Sequence, residues 1–173
     1  RSKVKIQSTT IQGASMSEMM KWEHGNTWYR VVGDLKNGKT PLMVLHGGPG
    51  AGHNYCIPIA ELIAQTGRAC ILYDQIGCGN STHLPEADKN FWTPELFMTE
   101  LVLLTEHLGI ADNYAIIGQS WGGMLGMQFA ITRPTGLTSL VVADSPASMG
   151  VWVSEANKLR DLLPPEVQAT LIK

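Results

Sequence analysis

Gly118-Gln119-Ser120-Trp121-Gly122 is the stretch on which the reading of this chain turns. It follows the apolar run Tyr114-Ala115-Ile116-Ile117 and opens the segment Trp121 to Ile131, so the serine stands where a strand passes into a helix. A G-x-S-x-G pattern alone is weak evidence. At a strand-to-helix junction it fits a nucleophile elbow, the tight turn that lifts a serine hydroxyl clear of the backbone. Gly118 and Gly122 then have a steric reason to be there, because a side chain at either position would crowd the turn and glycine accepts unusual backbone angles. The competing reading is a glycine-rich turn that merely starts a helix, with serine as a polar filler. A second motif upstream favours the elbow.

That motif is His46-Gly47-Gly48-Pro49-Gly50, directly after the apolar run Leu42 to Leu45. It lies at the strand end where ligands gather in open α/β sheets. Acyl transfer creates an oxyanion, and two backbone N–H groups held in advance are what stabilise it. Gly48, with Gly47 as the near alternative, is the expected donor from the loop, and the N–H of Trp121 is the expected second donor. Losing one such donor typically costs about 3 kcal/mol in the transition state. A phosphate-binding loop is the competing reading, but the Walker pattern lacks its lysine here and the dinucleotide pattern its spacing.

Around these motifs four short apolar runs recur: Leu42 to Leu45, Ala69 to Tyr73, Tyr114 to Ile117 and Leu140 to Ala143. Apolar on both faces, they read as interior strands of a parallel sheet, and helix-length segments separate them, as parallel connections require. One runs from about Asn54 to Gln65, closed by Gly67. The clearest starts at Thr93 as N-cap, with Pro94 at its first position and Glu95 near the positive end of the dipole. Its stripe is Leu96, Phe97, Leu101, Leu104 and Leu108, and Gly109 stops it. The third starts at the elbow and ends before Pro134. Its Gly122, Gly123 and Gly126 would each cost about 1 kcal/mol relative to alanine in an exposed helix, which points to close packing. Upstream, Thr27 to Val32 reads as a strand closed by Gly33-Asp34. Residues 1 to 26 look irregular apart from a weakly alternating run from Val4 to Ile11. After Ala143 come a loop, a helical stripe within Val151 to Leu163, the breaker Pro164-Pro165, and a further helix running to Lys173. The sequence stops there without a cap, so the expectation is a chain cut inside an element. The missing initiator methionine points likewise to a processed or trimmed start.

The 173 residues are 44% apolar with a formal net charge of -2, enough apolar material for one core. Lys and Arg total 13 against 15 Asp and Glu, without clustering, so no nucleic-acid partner is expected. No apolar run approaches a membrane span and the N-terminus lacks a signal-peptide core, so no membrane partner and a cytoplasmic location are expected. Cys56, Cys70 and Cys78 are odd in number with no close pair, which argues against a disulfide framework and a zinc site. No cofactor or metal is expected.

A third loop, Asp74-Gln75-Ile76-Gly77-Cys78-Gly79-Asn80-Ser81, follows the run Ala69 to Tyr73. Together "HGGPG", "YDQIGCGNS" and "GQSWGG" resemble the proline iminopeptidase family of α/β-hydrolase serine peptidases. The resemblance runs from about Trp28 to the end, and the tail "DSPASMGVWVSEANKLRDLLPPEV" is similar to fungal-type members. It implies an α/β-hydrolase fold, a mostly parallel sheet flanked by helices with a helical cap inserted after the sixth strand. It also implies release of an N-terminal residue, preferably proline, from a peptide or amino-acid amide by a serine nucleophile without a metal. By position Ser120 matches the nucleophile, and Gly47, Gly48 and Trp121 match the oxyanion hole. Residues 1–150 match the N-terminal part of the core and residues 151–173 the start of the cap, a fold truncated after about its sixth strand.

The chain departs from that family downstream of Ser120. In α/β hydrolases the acid and the histidine follow the serine, yet His24, His46, His53, His83 and His107 all precede it. His46 is expected to brace the glycine loop, His53 to border a pocket, and the others to be surface or turn residues. Asp144, at a strand end, is a candidate acid, but its expected task is to tie down the loop after Ala143. The chain alone is therefore expected to lack the triad acid and histidine and to be inactive, with the missing C-terminal part as its partner. An aminopeptidase must also hold a free amine, and only Glu155 and Glu166 offer remote carboxylates. An amino-acid amidase or esterase, or a non-catalytic hydrolase-like fragment, are the alternatives. Cys78 lies between two glycines at the catalytic end, so bulky thiol reagents are expected to slow the complete enzyme provided the side chain is accessible, whereas Cys56 and Cys70 read as packing residues.

Overall fold

The computed structural model describes residues 15–172, so the run from residue 4 to 11 lies outside the described residues. A hairpin of β1 (Ser15–Trp22) and β2 (Gly25–Val32) opens the fold, and β2 pairs antiparallel with β4 (Cys70–Tyr73). From β4 the sheet continues in parallel through β3 (Leu42–Leu45), β5 (Tyr114–Gln119) and β6 (Leu137–Ala143). The order is β1-β2-β4-β3-β5-β6, a mostly parallel six-stranded sheet. Three helices make the parallel connections: α1 (Ile57–Ala64), α2 (Pro94–His107) and α3 (Trp121–Ile131).

The two-residue period of a strand explains why the central runs are apolar throughout. Met43, Leu45, Ile71, Tyr73 and Ile116 pack with Phe97, Leu101 and Leu104 of α2 and Leu125 and Phe129 of α3. Val44, Cys70 and Leu72 point the other way, onto Cys56 and Ala60. Thr93 Oγ1 accepts the N–H of Leu96 and Pro94 opens α2, as its sequence dictates.

Two elements differ from expectation. β1 lies in a stretch that reads as irregular, because Ser, Glu, Lys and Met give no apolar alternation; pairing with β2 across the Glu23-His24 turn makes it a strand. β6 reads as interior, yet Val141 and Val142 are 51% and 41% exposed, and among the described residues no strand pairs with its outer edge. Apolar content records what a strand can bury, whereas its neighbours decide what it does bury. Beyond β6, α4 (Met149–Asp161) and α5 (Pro165–Leu171) begin close to where the sequence places helices, and neither holds a buried residue. Among the described residues no helix is long and apolar enough to cross a membrane.

Glu100 interrupts the apolar stripe of α2 and is fully buried. It accepts hydrogen bonds from Thr27 Oγ1 and, with both oxygens, from the Ile76 N–H. Burial raises its pKa from 4.5 to about 7 against the pull of those donors. The folded state therefore holds the proton more tightly than the unfolded chain. Glu100 contributes stability that is complete below about pH 4.5 and lost as pH rises to about 7, on the order of 3 kcal/mol. Glu100→Gln, which keeps an acceptor oxygen, is expected to flatten the stability profile across that window in urea titrations. An unchanged profile would show that Glu100 does not titrate there.

Candidate active site

The end of β5 delivers Ser120 to the first turn of α3 at φ 54 and ψ -120, a conformation that non-glycine residues rarely adopt and that costs on the order of 1–3 kcal/mol. Its surroundings hold it there. Ser120 N–H donates to Ala143 O at 2.9 Å, and Ser120 O accepts from Gly123 N–H at 3.0 Å and from Ser145 Oγ at 2.8 Å. The glycines of the motif answer to close approach: a Cβ on Gly118 would lie 2.2 Å from Gly122 O, and one on Gly122 only 2.0 Å from Leu45 O. Backbone thus meets backbone where the elbow crosses the end of β3.

The glycine loop lies beside the serine, since a Cβ on Gly47 would sit 3.1 Å from Ser120 Cβ. Gly48 has φ +118, and its peptide to Pro49 is cis. Among the described residues neither the Gly48 nor the Trp121 N–H has a hydrogen-bond acceptor. Gly47 differs, because its N–H donates to Tyr55 Oη at 2.5 Å. Of the two loop candidates, Gly48 is therefore the one with a donor to spare.

Beneath the loop His46 is fully buried, with Nδ1 2.9 Å from Gly47 O and Nε2 3.0 Å from Gln75 N. The carbonyl requires a proton on Nδ1 and the N–H requires a lone pair on Nε2, which fixes a neutral tautomer. Burial lowers its pKa to match. His46 is thus the expected brace, with no lone pair left for a substrate. Gln75 joins three segments: its Nε2 donates to His46 O at 3.1 Å and its Oε1 accepts from Trp121 Nε1 at 2.9 Å. Asp74 organises the same loop, accepting from His53 N at 2.7 Å and Asn80 N at 2.8 Å, with His53 Nδ1 at 2.8 Å.

Several expectations change on these contacts. His53 is buried, stacked on Trp28 at 4.1 Å and clamped to Asp74, and it is not part of the lining of the aromatic pocket described below. Asp144 is exposed and, among the described residues, makes no side-chain hydrogen bond; the adjacent Ser145, bonded to Ser120 O and Ala143 O, ties that loop. Cys78 is 5% exposed, and burial pushes its thiol up to about 12, so the accessible reactive thiol is absent. Cys56 and Cys70 are buried packing residues as expected. Glu155 is exposed and paired with Lys158 at 2.7 Å, while Glu166 lies in the first turn of α5.

A pocket of about 420 Å³ opens between the glycine loop and α2. Pro49, Ile76, Trp92, Phe97 and Trp121 line it, and no charged side chain does. Phe97 meets Trp121 edge-on at 5.7 Å and stacks with Trp92 at 6.4 Å. An apolar group small enough for this space would sit against Trp121, the residue that follows Ser120. Sequence reasoning missed Tyr55, Gln75 and Ser145 as parts of this site. Gln75 and Ser145 both stood inside stretches that carry the family resemblance, whereas Tyr55 gave no local signal.

Comparison with known proteins agrees with this geometry. The model of the α/β hydrolase fold family matches residues 40–172. The chain is 40% identical over 146 residues to a proline iminopeptidase of Lactiplantibacillus plantarum, covering 84% of this chain and 50% of the relative. It is 38% identical over 148 residues to that of Clostridium botulinum, covering 85% and 49%. Among solved structures, VinJ superposes with a TM-score of 0.86 at 50% identity, covering 91% of this chain and 53% of that one. The proline iminopeptidase of Mycobacterium smegmatis gives 0.81 at 48% identity, covering 90% and 52%. The chain spans about half the length of the curated relatives it matches. A strained serine between β5 and α3, a glycine loop after β3 and a family match over most of the sequence lead to one conclusion: this chain belongs to the α/β hydrolase fold family.

Proposed function

We propose that this chain is the N-terminal part of a serine aminopeptidase of the proline iminopeptidase kind, with Ser120 as nucleophile and the N–H groups of Gly48 and Trp121 as oxyanion donors. The observation that carries the reading is a serine held at φ 54 beside two backbone donors that have no acceptor among the described residues. Ser120 Oγ attacks the carbonyl of the N-terminal residue and its proton passes to a histidine. The negative oxygen rests on the two N–H groups, and the proton moves to the leaving amine as the acyl-enzyme forms. Water, deprotonated by the same histidine, then releases the amino acid. No histidine follows Ser120 in this sequence, and His46 and His53 are committed to loop contacts. The base and its acid partner are accordingly assigned to the polypeptide beyond residue 173, in line with relatives about twice as long.

In this reading residues 1–150 are the core and residues 151–173 begin a cap, which the exposed Trp152, Leu159 and Leu162 would help to pack. A cytoplasmic setting is part of the same proposal. The finer placement with fungal-type members rests on the tail from Asp144 to Val167 alone; the relatives named above are bacterial. A pyrrolidine ring suits the uncharged aromatic pocket, while the carboxylate for the substrate's amine would come from the cap. Because no carboxylate lines the pocket, an amidase or esterase is the second reading. Rates of the full-length polypeptide on prolyl-anilide and N-acetylprolyl-anilide separate them. The free amine is expected to be favoured on the order of 100-fold or more, and equal rates would contradict the aminopeptidase.

A further inference from the structure

Tyr55 has no part in the chemistry just described, yet its hydroxyl links both halves of the site. It lies in a 3-10 turn, Asn54–Cys56, that leads into α1. Its Oη accepts the Gly47 N–H at 2.5 Å and donates to Gln119 Oε1 at 2.6 Å. Gly47 precedes the donor Gly48, and Gln119 precedes Ser120. A Cβ placed on Gly47 would sit 2.9 Å from both Tyr55 Oη and Gln119 Oε1 and 3.1 Å from Ser120 Cβ, so the three groups converge on one face of that glycine. The residue is 47% exposed, which is poor use of a tyrosine as packing material. Burial around the hydroxyl raises its pKa, so it stays a protonated donor at neutral pH.

We propose that Tyr55 is a positioning residue of the oxyanion pocket: its hydroxyl clamps the glycine loop to the serine elbow and so sets the separation of the Gly48 and Trp121 N–H groups. The proposal rests on the assignment of Ser120 and those two donors above. Gly48, Pro49 and Gly50 are exposed, so the loop's aim depends on how Gly47 is held. Beneath Gly47 the loop is held by His46; on its open side the Tyr55 hydroxyl takes its N–H. Oxyanion donors act only when aimed at the place where charge develops. Without the hydroxyl the buried Gly47 N–H loses its acceptor, and the peptide can turn to find another. Such a defect weakens the transition state more than the bound substrate.

The test is Tyr55→Phe in the full-length polypeptide, read against the pH-independent kcat and KM for prolyl-anilide. Turnover is expected to fall on the order of 10- to 100-fold with KM within about two-fold. Pyrrolidine-2-boronic acid, which becomes tetrahedral on Ser120, should lose affinity by the same factor while free proline does not. Gln119→Ala removes the hydroxyl's acceptor and should lower kcat similarly; the double variant should be no worse than the worse single one. It also serves should Tyr55→Phe fail to fold. Wild-type kcat and boronate affinity in the folded variants would overturn the proposal, as would equal weakening of boronate and proline. A Ser120→Ala control keeps the layers apart, since retained turnover there overturns the nucleophile assignment itself, whereas lost turnover with an unaffected Tyr55→Phe overturns only the clamp.

Discussion

Alanine at Gly122 is expected to destabilise the protein by about 3 kcal/mol or more, well beyond the usual cost of one extra methyl group. The added Cβ would lie 2.0 Å from Leu45 O, 2.5 Å from Leu45 C and 2.7 Å from His46 O. All three are main-chain atoms at the end of β3, which is bonded to β4 on one side and β5 on the other. No rotamer change can relieve that overlap. Either α3 lifts from the sheet or the central ladder opens, and a domain stable by only about 5–15 kcal/mol has little margin for either. Gly38→Ala is the control: Gly38 has φ +79 but nothing within 4 Å of a Cβ, so only backbone strain of about 1 kcal/mol is expected. Urea midpoints of the two variants provide the comparison. Equal, small shifts would mean that the elbow does not press on β3.

What could be read from the sequence was what depends on neighbours in the chain. The elbow announces itself because Gly118 and Gly122 flank Ser120 within one turn, and α2 because Thr93 and Pro94 mark its start. The central strands are visible because both faces of β3 and β4 are covered, leaving continuous apolar runs. Contacts between distant segments leave no such trace. Tyr55 meets Gln119 across 64 positions and Gln75 meets Trp121 across 46, and neither pair belongs to a local pattern. Glu100 was hidden for another reason: it breaks the apolar period of α2, and its partners Thr27 and Ile76 lie 73 and 24 positions away. Asp144 and Ser145 show the limit of residue chemistry. The aspartate looked the better tie, but the serine next to it has its Oγ within reach of two carbonyls.

Ser120→Ala carries the largest expected effect on function. In a serine triad, loss of the nucleophile costs about as much as loss of all three members, around 10⁶-fold in turnover, because base and acid have nothing left to activate. The oxyanion donors and the pocket would survive, leaving about 10³- to 10⁴-fold over water. The fold should persist as well: alanine inherits the strain at φ 54, while glycine at the same place would relieve it and is expected to be about 1 kcal/mol more stable than the alanine variant. The most direct measurement is the turnover of prolyl-anilide by full-length wild type and Ser120→Ala, each shown by circular dichroism to be folded. A loss of around 10⁶-fold is the expected result. A folded Ser120→Ala within about ten-fold of wild type would contradict the assignment of the chemistry to that hydroxyl.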